Sequence, residues 1–150
     1  MTAPGAFERG TDGPRVILVG VDGSPTSLRA AAYAAGLARR QRSRLVAVYV
    51  TGATPPMAGW VPTAHAVARE VSAEVDAELR RLITRADELG IVGEYRSVPG
   101  DPVTELSRIA DDLPADAVLV GASEQAGHRV IGSVAVRLVR LGRWPVTVVP

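Results

Sequence analysis

The chain has 150 residues, 47% of them hydrophobic and 22% charged, which suits one globular domain with a real core. Its formal net charge of +1 gives no general reason to expect nucleic acid or an anionic membrane as partner. Cysteine is absent and all 17 basic residues are Arg, which excludes disulfides, thiolate or Schiff-base chemistry, Cys-bound metals and a Walker-type lysine.

The opening stretch MTAPGAFERGTDGP lacks the basic and apolar segments of a secretory signal and reads as a disordered leader over residues 1–14. No apolar run approaches the ~18 residues of a membrane-spanning helix, so a cytoplasmic protein is the simplest expectation. RVILVGVD (15–22) is a near-continuous apolar run, as expected of a strand covered on both faces. Ser24 then stands as a helix N-cap with Pro25 at the first helical position. Leu28, Ala31, Ala32, Ala35 and Ala38 follow at helical spacing. LVAVYV (45–50) predicts a second strand, and TGATPPMAGWVPT (51–63) a long Gly/Pro-rich loop in which Trp60 reads as an anchor more readily than a lid. Val67, Val71, Val75, Leu79, Leu82, Ile83 and Leu89 form one stripe of a long helix ending at Gly90.

EYRSV (94–98) predicts a third strand. Asp101 caps the next helix, Pro102 takes its first turn, and Val103, Leu106, Ile109 and Ala110 face inward. DAVLVG (116–121) is the fourth strand, a helix runs from about Ser133 to Leu141, and PVTVV (145–149) closes the chain. Strands alternating with helices in this way predict an α/β fold, a single-domain open doubly wound parallel sheet of five strands.

In such a sheet ligands sit beyond the carboxyl ends of the strands, where the strand order reverses. If the first and fourth strands flank that point, Asp22-Gly23-Ser24 meets the segment from Gly121 to Gly132. The helix from Ser133 then turns its free N–H groups and positive dipole end into the crevice, and Asp22 can accept from a ribose hydroxyl or a base. That combination suits a mononucleotide. Taken singly, Asp22 and Gly132-Ser133 read more readily as a strand terminator and an ordinary helix start. His65 and His128 have no metal-ligand spacing, Asp111-Asp112 reads as a polar helix end, and no Ser–His–Asp arrangement stands out.

GVDGS at the first strand, VAVYV at the second, GDP before the third helix and ADAVLVG…GSVAVRLVRLGRWPVTVV at the end together resemble the universal stress protein family. The resemblance covers residues 15–149 and identifies 15–150 as one domain of that kind. It implies a Rossmann-like sheet of order 3-2-1-4-5, related to adenine nucleotide alpha-hydrolases, and a homodimer formed through the last strand. Nucleotide-binding members carry a phosphate loop of the form G-x2-G-x9-G-[S/T], with an Asp after the first strand and a Val at the end of the second holding the adenosine. The matching positions here are Asp22, Val50, Gly121, Gly132 and Ser133.

The middle of the loop departs from that form. Glu124 stands where the second glycine belongs, and seven residues rather than nine separate it from Gly132. A side chain obstructs backbone approach to a phosphate, and a carboxylate repels it by roughly 1 kcal/mol in water at 4 Å and ~4 at an intermediate dielectric. Gly127 and Arg129 leave the loop one flexible position and one cation. The leading expectation is therefore a stress-response homodimer paired through residues 145–149, with no enzymatic activity. Its crevice is of the adenine-nucleotide type, taking AMP or another small adenine ligand and binding ATP weakly or not at all. The alternative is a competent ATP-binding switch in which the altered loop and Arg129 hold the phosphates. An adenylate-forming enzyme needs a glycine-rich loop straight after the first strand, which GVDGSPTS does not supply.

Overall fold

The structure, a computed structural model, describes residues 13–51, 62–125 and 128–150, with the backbone alone at 62–69, 124–125 and 128–130. The leader expected over 1–14, apart from Gly13 and Pro14, lies outside the described residues, as does the loop with Trp60 between 52 and 61. The chain runs β1 (Val16–Val21), α1 (Pro25–Gln41), β2 (Arg44–Thr51), α2 (Pro62–Glu88), β3 (Gly93–Pro99), α3 (Pro102–Asp112) and β4 (Ala117–Gly121). It continues through β5 (Ser123–Gln125), β6 (His128–Val130), α4 (Ser133–Leu141) and β7 (Val146–Val149). Five of the strands form one parallel sheet in the order β3-β2-β1-β4-β7, the expected 3-2-1-4-5 arrangement.

Alternation along the strands divides the core in two. Ile17, Val19, Val21, Leu45, Ala47 and Leu119 face one side and pack with α1 and α2, whereas Leu18, Val46, Val48, Val118 and Val120 face the other with α3 and α4. Both faces being covered explains why the strands read as continuous apolar runs. The inward face expected for α3 is buried at Val103, Leu106, Ile109 and Ala110.

Helix α4 spans Ser133–Leu141 as expected, whereas α1 and α2 sit differently from the expectation. The buried line of α1 is Thr26, Ser27, Ala30, Ala34 and Ala38, about one residue round from the stripe through Leu28, Ala31, Ala32 and Ala35. With alanine at so many positions the spacing has little contrast to locate the seam. On α2, Leu79 and Ala86 are buried while Val71 and Leu82, like Leu89 just past the helix end, are exposed, because the helix packs over the β3 side and leaves the outer part of its stripe uncovered. Helix α2 also begins at Pro62, inside the stretch expected to be loop.

The largest departure is β5 and β6. The span expected to be an open loop between Gly121 and Gly132 contains a two-stranded antiparallel sheet with Ser123 opposite Val130, Glu124 opposite Arg129 and Gln125 opposite His128. Strands of three residues are too short for a period of two to stand out in the sequence.

Candidate functional site

Strand order reverses between β1 and β4, which send their connections to opposite sides of the sheet. Their pairing ends at Val19 and Leu119, and the residues beyond, Gly20–Val21 and Val120–Gly121, border a crevice of about 340 Å³. Asp22, Val50, Gly121, Gly132 and Ser133 all line it. The fold thus brings together every residue expected at the site.

One wall is the turn from β1 into α1. Ser24 N–H donates to Asp22 Oδ1 at 2.9 Å, Asp22 N–H donates to Ser27 Oγ at 3.2 Å, and Ser27 N–H donates to Ser24 Oγ at 3.2 Å. The Ser27 hydroxyl donates in turn to the Ser24 carbonyl at 3.0 Å. Ser24 is the N-cap of α1, as expected, and Ser27 is 4% exposed. Desolvation pushes the Asp22 carboxyl up, but the bonds from Ser24, Ser27 and the main chain outweigh it and hold it below the usual carboxylate range. Asp22 is therefore an ionised acceptor at neutral pH, with its orientation already fixed.

Gly121 explains how this wall is held. A Cβ placed on it would lie 2.5 Å from the Ser27 nitrogen and from the Thr26 carbonyl carbon. The first turn of α1 therefore rests directly on the end of β4, an approach that only glycine permits.

The opposite wall is built from Ala122, Ser123 and the start of α4. Gly132 is the α4 N-cap and, lacking a side chain, makes no side-chain cap bond; its carbonyl accepts from Val136 N–H at 3.1 Å. A Cβ at Gly132 would lie 3.0 Å from the Ser123 Cβ, so β5 packs close against the cap. Ser133 is exposed at the first helical position. Helix α3 contributes Pro102 and Leu106 and strand β2 contributes Val48 and half-buried Val50, giving the crevice an apolar flank.

The resulting cleft has an apolar side, hydroxyls, a fixed carboxylate and the positive end of a helix. Such features suit a sugar and base with an anionic group. Among the described lining residues Asp22 carries the only charge. Beyond the lining, Asp101 caps α3 and pairs with Arg137 of α4. No group of three His, Asp or Glu side chains is placed to hold a metal ion among the described residues. Nor is any helix among them long and apolar enough to cross a membrane.

Sequence reasoning missed the part played by Thr26, Ser27 and Ser123. SPTS did carry a signal: two further hydroxyl residues in the first turn of a helix whose cap was already supplied had to be satisfied locally once buried.

Known proteins share this architecture. A curated relative from Methanocaldococcus jannaschii, universal stress protein MJ0531, is 28% identical over 140 residues, covering 89% of this chain and 80% of its own length. A structure of a universal stress protein family member from Burkholderia pseudomallei is 31% identical with a TM-score of 0.60, covering 91% of this chain and 96% of that one. A structure of a universal stress protein in complex with cAMP is 29% identical with a TM-score of 0.64, covering 91% and 97%. The profile of the universal stress protein family matches residues 14–150, which includes the whole sheet and both walls of the crevice. The chain belongs to the universal stress protein family.

Proposed function

We propose that this protein is a nucleotide-binding stress protein, not an enzyme, whose crevice takes adenine nucleotides with a short phosphate, such as AMP, and binds ATP weakly or not at all. The observation that carries the reading is the β5–β6 sheet between Gly121 and Gly132. Backbone amides engaged in a ladder are not free to wrap an extended polyphosphate, as those of an open glycine-rich loop are. The adenosine half of the site remains: Asp22 fixed as an acceptor, Val50 on the apolar flank, and Ser133 with the α4 N-terminus beyond. A volume of about 340 Å³ is at the small end of the range for ligand clefts and favours one nucleoside with a compact anion. The 29% identical relative in complex with cAMP supports the same ligand class.

Calorimetric titration with adenosine, AMP, cAMP and ATP tests this. AMP should bind more tightly than ATP. Micromolar ATP binding abolished by Gly132→Val would overturn the reading in favour of an ATP switch using Arg129. Absence of any adenine-nucleotide binding would remove the ligand altogether.

The acting unit in this reading is a cytoplasmic homodimer joined through residues 145–149. Strand β7 lies at the end of the sheet order, with Val146, Val148 and Val149 on an edge that carries no charged side chain. Such an edge favours pairing with another chain, and a twofold axis sets two copies antiparallel. Apolar surface on α4, where Val139 and Leu141 are exposed, extends the patch. Sedimentation checks the assembly: Val148→Pro, which removes a ladder donor, should dissociate a dimer seen for the wild type at tens of micromolar (order of magnitude).

A further inference from the structure

A ligand phosphate in this crevice needs a counter-charge, yet the described lining contains no cation and one carboxylate, Asp22. One described cation lies a single helical turn into α4. Arg137 follows Ser133 by four residues, about 6 Å along the axis and on the same side of the helix. Long helical side chains lean back toward the N-terminus, and that of Arg137 reaches the start of the neighbouring α3. There its two terminal nitrogens each donate to Asp101, at 3.3 Å to Oδ1 and 3.3 Å to Oδ2. Asp101 directly precedes Pro102, which lines the crevice as Ser133 does. The ion pair therefore spans the rim between the two helix starts.

The pair is unequal in what each partner needs. Asp101 Oδ2 accepts from Thr104 N–H and from the Thr104 hydroxyl, both at 2.9 Å, so it keeps its capping role without Arg137. The two Arg137 contacts are the long ones, and the side chains are 53% and 45% exposed. Exposed pairs of this kind contribute little to stability. Arg137 also has the planar fork that grips a phosphate through two parallel bonds. Releasing it from Asp101 leaves no buried group unsatisfied.

We propose that Arg137 is the phosphate-recognising residue of the crevice, parked on Asp101 until the phosphate of a nucleoside monophosphate takes its guanidinium. The proposal rests on the adenine-nucleotide reading above and adds the group that selects a nucleotide over the bare nucleoside.

Affinities of the full chain for adenosine and for AMP test it. The variants are Arg137→Gln, Arg129→Gln and Asp101→Asn, the last keeping an N-cap acceptor while removing the competing charge. Arg137→Gln should weaken AMP about tenfold and leave adenosine unchanged. Asp101→Asn should tighten AMP about threefold, again without moving adenosine. A helix-to-helix staple with no ligand role would lower thermal stability in Arg137→Gln and Asp101→Asn and leave the AMP-to-adenosine ratio alone. Wild-type binding of AMP that Arg137→Gln leaves intact, or that only Arg129→Gln weakens, overturns this proposal and spares the adenine-nucleotide reading. A wild type that binds neither ligand overturns both.

Discussion

The two walls of the crevice solve the same problem in opposite ways. Where β1 enters α1, the turn bonds to itself: Asp22, Ser24 and Ser27 bond one another, and the helix start is capped. Where the chain enters α4 the cap is a glycine, which has no side chain to bond the first-turn N–H groups, and Ser133 is exposed. The first wall is a rigid reference that presents one carboxylate. The second keeps donors available. A cleft needs both, because a ligand is positioned by what cannot move and held by what has not yet found a partner.

The rigid wall depends most on a residue that has no side chain. Gly121→Ala would put a methyl 2.5 Å from the backbone of Thr26 and Ser27, so α1 must lift from β4 instead of a flexible side chain giving way. We expect a loss of about 3 kcal/mol, the upper end for overpacking, in chemical denaturation, together with loss of nucleotide binding. Stability within about 0.5 kcal/mol of wild type would show that the first turn of α1 yields freely, and the contrast between the walls would fail.

Gly121 also shows how far the sequence could be read. Its pairing with a glycine-serine helix start, and the apolar runs before each turn, are patterns of identity and spacing, so the five-stranded sheet and the five crevice residues were legible. Its second role, as the contact point for the first turn of α1, was not, because nothing near residue 121 in the chain announces an approach by residues 26 and 27. The same limit hid β5 and β6: Glu124 and Gln125 look like loop residues until they are seen opposite Arg129 and His128. The seam of α1 was displaced for a different reason, its alanine-rich composition giving each candidate face nearly the same hydrophobicity.

Asp22→Ala tests the carboxylate that the rigid wall presents. Its folded-state pKa is depressed, so it contributes stability above its unfolded value of about 3.9, and that contribution is lost as pH falls through the lower folded value. Near pH 7 the variant should be less stable by about 1 kcal/mol, and the difference should narrow below about pH 4. Adenosine and AMP should weaken together, since both carry the ribose and base that the proposed function assigns to Asp22. A stability loss without any change in binding would make Asp22 a turn residue only.

The smallest stability effect, and the most direct test of the open wall, comes from Gly132→Ser. At φ −72° and ψ 167° the backbone there is extended and any residue can adopt it, so strain does not enter. A serine hydroxyl would cap α4 and occupy a first-turn donor that the native cap residue, a glycine, leaves unbonded. Against this small gain, the new Cβ would sit 3.0 Å from that of Ser123 and ask β5 to shift slightly. Glycine is itself an acceptable cap, so the net change in stability should be only a few tenths of a kcal/mol in either direction. Binding should respond more. A phosphate on the α4 N-terminus would then compete with the new hydroxyl, and AMP affinity should fall about tenfold, or ~1.4 kcal/mol, while adenosine keeps its affinity. Unchanged AMP binding would mean that the donors of α4 do not meet the phosphate, and that the missing cap reflects the close packing of β5 and nothing more.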